Sequence, residues 1–459
     1  MDLFRKKDIA DSFDNESHLA KCLTAFDLTF LGVGAIIGAG IFILTGIVAA
    51  TYAGPAVIFS YIVAGFSCAF AALSYAELAA SIGGCGSAYG YAYAGFGELI
   101  AWIVGWDLIL EYAISVSAVS VGWSSYANDF LSSMKIDVPK YFLHGPLDGG
   151  LLNLLAFLII IALTSLLIMG VKSSTRFNNV IVMIKLLVVF LFIAIAISEV
   201  HVENWVPFMP FGWTGVMRGA SLIFFAYIGF DAVSTAAEEA INPQRDLPRG
   251  IIYSLILCTL LYITVAGLLT GMAYYPTLNV ASPISHSLLT LGYRVAAGLV
   301  GVGAIAGLTT VMLVMFYGLT RVFLAMARDG LLPKIFSKTN ETTKTPVRII
   351  LLCGLLMASL SAMVPISDLA ELVNIGTLFA FIIVCSGVLY LRYTHPDIPR
   401  PFKTPGMPVV PILGIISCIY LIAHLPWVTM ARFVIWMLIG FIIYFAFSRN
   451  HSKLEGRRC

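Results

Sequence analysis

Charged residues are scarce in this sequence. Only 11% of its 459 residues are Asp, Glu, Lys or Arg, whereas a soluble domain carries about a quarter. Hydrophobic residues make up 59%, and they recur in runs of about 20, the length of a helix that crosses a bilayer. The composition therefore predicts an all-α polytopic membrane protein and argues against a soluble enzyme.

Other signals are missing as well. The net charge of +2 comes from scattered loop residues, so no nucleic-acid partner is predicted. The first 24 residues are polar and lack the apolar core of a cleavable signal peptide. The eight cysteines have no metal-ligand spacing and the seven histidines do not cluster. We therefore predict no disulfide, metal, cofactor or catalytic centre.

Apolar runs between polar breaks predict twelve transmembrane helices, named spans 1 to 12. They cover residues 25–51, 55–82, 96–127, 151–170, 176–199, 215–239, 248–273, 293–325, 348–363, 367–391, 408–426 and 430–448. With both termini in the cytoplasm, 21 of the 27 basic residues lie on the cytoplasmic side, five lie outside and Lys185 lies in the membrane. The positive-inside rule therefore favours an even number of spans and a multi-pass location in the cell membrane with both termini cytoplasmic.

Span 1 is interrupted by glycine. Its stretch FLGVGAIIGAGIFILTG, residues 30–46, holds five glycines, although each one in a helix interior costs about 1 kcal/mol relative to alanine. Span 6 repeats the pattern in LIFFAYIGFDAVSTAAEE, residues 222–239. Aligning AIIG at 35–38 with AYIG at 226–229 places span 1 against span 6, and because five spans is an odd number the second copy must run in the opposite direction. Two inverted five-helix repeats with broken helices are typical of secondary transporters.

The repeats divide the chain into five predicted parts. These are a cytoplasmic N-terminal segment 1–24, a first five-helix repeat 25–199, a second inverted repeat 215–391, two peripheral helices 408–448 and a cytoplasmic tail 449–459. We interpret the final LEGRRC as a cloning remnant.

A broken helix in the membrane exposes backbone groups that a ligand can satisfy. The amides near Gly38, Ala39 and Gly40 begin the outer half of span 1 and suit an anion, aided by the helix dipole. The carbonyls that end the inner half of span 1 and the first half of span 6 suit a cation. A molecule with a carboxylate beside an ammonium, an α-amino acid, fits both. Glycines that only permit close helix packing are the alternative.

Three stretches resemble the amino acid-polyamine-organocation superfamily. They are GVGAIIGAGIF in span 1, GCGSAYGYAYAGFGELIAWIVGWDLILEYAISVSAVSVGW running into span 3, and FFAYIGFDAVSTAAEEAINPQRDLPRGI from span 6 onwards. From about residue 20 to 450, the chain is most similar to the cationic amino acid transporter family, as a bacterial member. The resemblance implies alternating access between two inverted repeats and the transport of L-amino acids.

The resemblance also implies how the substrate is held. Its carboxylate would bind the amides of Ala39 and Gly40, and its ammonium would bind carbonyls at the two breaks. Those carbonyls lie near Ile36, Phe225, Ala226 and Ile228. Phe225 would also close the pocket as an aromatic gate, although simple packing is the alternative in a chain with 30 phenylalanines.

Lys185 lies nine residues into span 5, too deep to reach the headgroups easily. In sodium-coupled relatives of this fold, span 5 approaches the span 1 break near a sodium site, so the ammonium resembles a replacement for the ion. A desolvated lysine can exchange its proton. Lys185 is therefore the predicted coupling residue of a proton-dependent, sodium-independent carrier, with a static structural cation as the alternative.

Three acids and a methionine complete the predicted pocket. Asp107 and Glu111 share one face of span 3, and Asp231 follows the span 6 break. A cationic substrate such as arginine, lysine or ornithine would pair with Glu111 or Asp231 in preference to Asp107, whereas a proton-sharing or structural network is the equal alternative.

Met315 shares a face of span 8 with Met312 and would limit the pocket depth, which favours small neutral substrates such as alanine. Plain packing is its alternative.

Charges at the cytoplasmic end of span 6 predict an ionic latch on the inner gate. Glu238, Glu239, Arg245 and Arg249 flank NPQRDLPRG, with Glu77 of span 2 as the predicted partner. Ordinary solvated charges are the alternative.

Several functional points stay open at this stage. A symporter, an exchanger without proton coupling and a transporter-like amino acid sensor would all use such a site. Membrane lipids surround the chain, and a small accessory membrane subunit and sterol-like lipids are left open as partners.

Overall fold

The computed structural model describes residues 5–6, 23–82, 87–133, 135–169, 175–236, 240–280, 282–340 and 345–453. This part of the chain is helical apart from turns and loops, and its one β-type pairing is an isolated bridge between Leu23 and Ala240. The all-α prediction is therefore confirmed for the described residues.

Each predicted apolar run coincides with helix in the structure. The main helices are α1a (Ala25–Ile36), α2 (Val57–Ser81), α3 (Glu98–Ser133), α4 (Leu154–Ile168), α5 (Thr175–Ala196), α6 (Gly212–Ile223), α7 (Pro243–Met272), α8 (Arg294–Arg328), α9 (Val347–Met363), α10 (Ile366–Thr394), α11 (Val409–Ala423) and α12 (Trp427–Ile443). The second half of span 1, named α1b, runs through the π-helical turn Gly40–Leu44, the helix Thr45–Val48 and the π-helical turn Ala49–Ala53.

Within the described residues, eight helical segments are long and apolar enough to cross a membrane. One of them, Gly40–Ser81, joins α1b to α2. Four shorter apolar helices, α1a, α4, α9 and α11, accompany them. The helices of the described residues are thus those expected of a polytopic membrane protein, while the number of crossings and the repeat symmetry stay predictions.

The broken helices pack against a framework of longer ones. The helix α3 packs along both α8 and α10, and α7 packs along α1a and α2. In turn, α2 packs on α6, and α8 packs on α5. This arrangement brings the two glycine-interrupted segments into the centre of the bundle.

The peripheral helix α12 is fixed to α3 by tryptophans. The Trp106 indole stacks on Trp436 with 4.4 Å between ring centroids. The Nε1 of Trp106 donates to the Trp436 carbonyl at 2.9 Å, and the Nε1 of Trp102 donates to the Gly440 carbonyl at 3.0 Å. Because indole N–H groups in an apolar interior need acceptors, these bonds hold α12 in one register on α3.

The buried carboxylate of Glu98, at the start of α3, joins both ends of the described chain. It accepts hydrogen bonds from Arg5 Nη2 at 3.2 Å and from the Tyr93 hydroxyl at 3.2 Å. It also accepts from the Tyr444 hydroxyl at 3.1 Å and from the Ser452 hydroxyl. In return, the Glu98 amide donates to the Arg5 carbonyl at 2.9 Å. We call this arrangement the Glu98 hub, and the side of the bundle where it lies the termini side.

Replacing Glu98 by alanine is expected to lower the thermal stability of the purified protein, because it leaves Arg5 and three buried hydroxyl donors without this acceptor. Removing one partner of a buried ion pair typically costs about 3–5 kcal/mol. The measurement is the melting temperature in detergent, with Glu203→Ala, at an exposed position in the 3₁₀ turn Val202–Trp205, as the control. Equal melting temperatures for the two variants would show that the hub adds no stability.

Candidate substrate-binding site

The span 1 break lies between α1a and α1b. The α1a helix ends at Ile36 because Ile37 adopts an extended conformation, with φ −72° and ψ 99°. Helical geometry resumes at Ala39 and continues in a π-helical turn from Gly40. The last carbonyls and the first amides of a helix have no partner within that helix, so the break turns carbonyls of α1a and amides of Ala39 and Gly40 towards the same region.

The span 6 break has a similar form. The α6 helix tightens into a 3₁₀ turn over Phe224–Tyr227 and stops at Ile228, which is extended. Gly229 then takes φ +119°, a conformation that side chains disfavour. A short helix, Ala232–Thr235, follows, with Asp231 at its N-terminal cap position.

The two breaks touch each other. A Cβ built on Gly40 would lie 2.3 Å from the Ala226 Cα, and one built on Gly229 would lie 3.0 Å from the Ala35 carbonyl carbon. Glycine at these positions therefore allows the backbones of spans 1 and 6 to meet, as the packing explanation requires. Close packing and interrupted backbone occur together here. The packing role of the glycines therefore does not exclude a binding role for the interrupted backbone.

Tyrosines that the sequence analysis did not single out bridge the breaks. The Tyr262 hydroxyl of α7 lies 2.7 Å from the Ile36 carbonyl oxygen and 2.8 Å from the Ala226 carbonyl oxygen. The Tyr61 hydroxyl of α2 donates to the Gly40 carbonyl at 3.2 Å. Two carbonyls predicted to bind the substrate ammonium, those of Ile36 and Ala226, therefore already have a partner, although a carbonyl oxygen can accept a second hydrogen bond.

Lys185 reaches the span 1 break from α5. Its Nζ donates to the Gly34 carbonyl at 2.9 Å and to the Ile37 carbonyl at 2.7 Å, and the side chain is fully buried. These are carbonyls that the end of α1a leaves without helical partners. The ammonium thus lies where a bound cation would satisfy the broken helix.

The three predicted acids lie together beyond the span 6 break. Asp107, Glu111 and Asp231 are buried and interact electrostatically with one another through Glu111. The Tyr112 hydroxyl donates to Asp231 Oδ2 at 2.7 Å. Among the described residues, neither carboxylate oxygen of Asp107 has a hydrogen-bond partner, and one oxygen each of Glu111 and Asp231 also lacks one. This cluster can hold a proton or a cationic group, because its oxygens have spare acceptor capacity.

The remaining predicted residues also line the breaks. Met315 of α8 brings its Cε within 2.9 Å of the position that a Cβ on Gly229 would occupy. Phe225 lies in the 3₁₀ turn and is 6% exposed, and its carbonyl accepts from the Ile228 amide at 3.3 Å. Gly38 faces Val311 of α8. All of these residues are buried, so the region around the breaks is closed to solvent in this conformation.

The predicted partner of the latch was wrong. Glu77, at the end of α2, binds Arg392 of α10 through two hydrogen bonds of 2.7 and 2.8 Å. It also accepts from the Thr404 amide at 2.7 Å and lies 3.4 Å from Arg400 Nε. Because α2 packs on α10, Glu77 ties span 2 to span 10 instead of to the segment after span 6.

The rest of the predicted latch is only partly described. Glu238 and Glu239 lie outside the described residues, so their pairing stays a prediction. Arg245 pairs with the adjacent Asp246 at 2.9 Å. That contact between sequence neighbours does not cross the gate, so for Arg245 the solvated-charge alternative fits better.

Comparison with known proteins places these features in a family. The profile of the amino acid permease family matches residues 23–448. The chain belongs to this family. It is 52% identical over 461 residues to the branched-chain amino acid permease BcaP of Bacillus subtilis (strain 168), and the match covers 99% of both chains. It is 48% identical over 457 residues to the methylthioribose transporter of the same organism, again over 99% of both chains.

A plant relative is more distant. The cationic amino acid transporter 4, vacuolar, of Arabidopsis thaliana is 38% identical over 392 residues, which cover 84% of this chain and 65% of that protein. The family assignment confirms the predicted resemblance to amino acid permeases of the amino acid-polyamine-organocation superfamily. It also confirms that the protein is a transporter and not an enzyme. Together with the apolar helices, it supports a multi-pass membrane protein.

Proposed function

We propose that this permease is a secondary active transporter that imports L-amino acids by alternating access, coupled to protons and independent of sodium. The observation that carries the proposal is the Lys185 ammonium bound to the Gly34 and Ile37 carbonyls, at 2.9 and 2.7 Å. The ammonium can hold these two carbonyls when it is charged and release them when it is neutral. Protonation of Lys185 would therefore be linked to the position of span 1.

The proposed architecture has twelve spans with both termini in the cytoplasm. The repeats are 25–199 and 215–391, and the peripheral helices are 408–448. The nearly reciprocal contacts of Gly40 with Ala226 and of Gly229 with Ala35 support the symmetry, because each break packs its glycine on the small residue of the other. The predicted topology, which places 21 of the 27 basic residues in the cytoplasm, is the support for this orientation.

In the proposed substrate complex, the carboxylate binds the Ala39 and Gly40 amides at the positive end of α1b. The ammonium binds the free acceptor capacity of nearby carbonyls, with Phe225 closing the site. These carbonyls are those of Ile36, Phe225, Ala226 and Ile228. Tyr262 shares two of them, so it would orient the carbonyls in the complex.

We propose that neutral side chains are preferred. Met315 lies against the span 6 break, where its thioether would limit the depth of the pocket. The relatives named for branched-chain amino acids and methylthioribose point to uncharged ligands as well. Cationic amino acids are the second candidate class, favoured by the oxygens of Asp107 that have no partner among the described residues.

Replacing Met315 by serine is expected to enlarge the pocket and to raise arginine uptake relative to alanine uptake. The change removes a thioether whose Cε lies at the break. The measurement is competition of labelled alanine uptake by unlabelled arginine, with Met312→Ser as the control on the same helix. An unchanged arginine to alanine ratio would place Met315 outside the pocket.

The proposed function is tested by uptake into proteoliposomes without sodium. Labelled alanine, leucine and arginine are supplied outside under an imposed inward proton gradient. Accumulation above the outside concentration, abolished by a protonophore, is the expected result. Uptake only against preloaded internal amino acid would identify an exchanger. Saturable binding without uptake would identify a sensor, and a requirement for sodium would overturn the coupling ion.

A further inference from the structure

The stem of Lys185 passes α8 at a glycine. A Cβ built on Gly307 would lie 2.7 Å from the Lys185 Cε, 3.3 Å from its Cδ and 3.4 Å from its Cγ. In real structures a Cβ atom essentially never lies within 3.0 Å of another side-chain atom in this way, so 2.7 Å is a steric clash. Any residue larger than glycine at position 307 would therefore displace the lysine stem.

The space around the stem is fixed on its other sides as well. At its far end, the ammonium is tied to the Gly34 and Ile37 carbonyls. One turn along α8, a Cβ on Gly303 would lie 2.4 Å from Val188 Cγ2, so the Val188 side chain of α5 already packs directly on the α8 backbone. The lysine therefore reaches the break through a passage that exists because residue 307 has no side chain.

We infer that Gly307 is the positioning residue for Lys185, and that it sets the distance between the ammonium and the span 1 break. The inference rests on the proposed function, in which Lys185 couples proton movement to transport. The three heavy atoms nearest to a Cβ on Gly307 all belong to the Lys185 stem. A substitution at Gly307 therefore acts first on the lysine, which makes its role separable from that of the binding site.

The experiment combines Gly307→Ala with Lys185→Ala in a double-mutant cycle. In the wild-type background, Gly307→Ala is expected to lower proton-driven accumulation by about tenfold or more, the size expected for losing a hydrogen bond to a charged group, while exchange of substrate persists. It is also expected to lower the melting temperature. In the Lys185→Ala background, where Cγ, Cδ and Cε are absent, the same change should have no effect on transport and should raise the melting temperature by filling vacated space.

Two glycines of α8 supply the controls. Gly301→Ala adds the same methyl group to the same helix, but its Cβ would meet only Ser285 Oγ, at 3.9 Å. Transport should therefore stay at the wild-type value, and the melting temperature should rise slightly because alanine favours the helix over glycine. Gly303→Ala meets Val188, so its effects should be equal with and without Lys185. Equal effects of Gly307→Ala in both backgrounds, or none in either, would overturn the inference.

The outcomes also separate this inference from the proposed function. If Lys185→Ala alone still accumulates substrate under a proton gradient, the coupling role of Lys185 fails. If Lys185→Ala is uncoupled while Gly307→Ala accumulates normally, the positioning role of Gly307 fails alone. The melting temperatures decide whether the stem is displaced even when a variant does not transport.

Discussion

Replacing Lys185 by methionine is expected to abolish substrate accumulation under a proton gradient while substrate exchange continues. Methionine keeps most of the length of the stem that passes Gly307 but has no protonatable group. In the wild type the Gly34 and Ile37 carbonyls lie 2.9 and 2.7 Å from Nζ. In the variant they lose this donor, and the break can no longer respond to protonation. The ratio of internal to external labelled alanine should therefore fall to about one, because an uncoupled carrier has no energy source with which to concentrate its substrate.

The matched control is Lys140→Met, which makes the same change at an exposed position in the 3₁₀ turn Lys140–Phe142. It should accumulate alanine as the wild type does. Exchange is measured on the same vesicles by preloading them with unlabelled alanine. A Lys185→Met protein that still concentrates alanine would show that the buried lysine is a static structural cation, which is the alternative that its sequence position left open.

The Gly40→Ala variant is expected to lose transport of every kind, including exchange. A methyl group at residue 40 would lie 2.3 Å from both the Cα and the Cβ of Ala226. Backbone atoms cannot rotate away as a side chain can, so one break must move relative to the other. Displacements of about 1 Å at a binding site cost about 100-fold in rate, and we expect a loss of at least that size in exchange velocity.

The control for this variant is Gly298→Ala on α8, where a new Cβ would have no neighbour within 4 Å. Both proteins are purified and their elution as single species is compared before reconstitution. The Gly40→Ala protein should also bind alanine more weakly in a direct binding assay, because the amides it displaces are the proposed carboxylate site. Normal exchange in this variant would mean that the two breaks can separate without harm to the site.

Local sequence features predicted the helices and the breaks. Apolar run length depends only on neighbouring residues, and so does the glycine pattern that interrupts spans 1 and 6. The depth of Lys185 in span 5 can also be counted directly along the chain. The residues that are extended in the structure, Ile37 and Ile228, occupy paired positions in the alignment of AIIG with AYIG.

Contacts between distant residues could not be predicted in this way. Tyr262 bridges both breaks, but a single tyrosine in an apolar run carries no signal in a chain with 20 tyrosines. Asn374 of α10 donates to the Ser221 and Leu222 carbonyls at 2.7 and 3.1 Å, and its role depends on where α10 packs. Glu77 was given the wrong partner for the same reason, since charge type alone cannot choose among several nearby arginines.

The Glu98 hub has a consequence for how the protein is made. Chains emerge from the ribosome N-terminal end first, so α3 enters the membrane long before α12 exists. During that interval, Glu98 can bind Arg5 and Tyr93 but not Tyr444 or Ser452. A buried carboxylate with too few partners is costly, so the start of α3 would stay hydrated until α12 has been inserted. Residues synthesised long after α3 would then complete the packing of that helix.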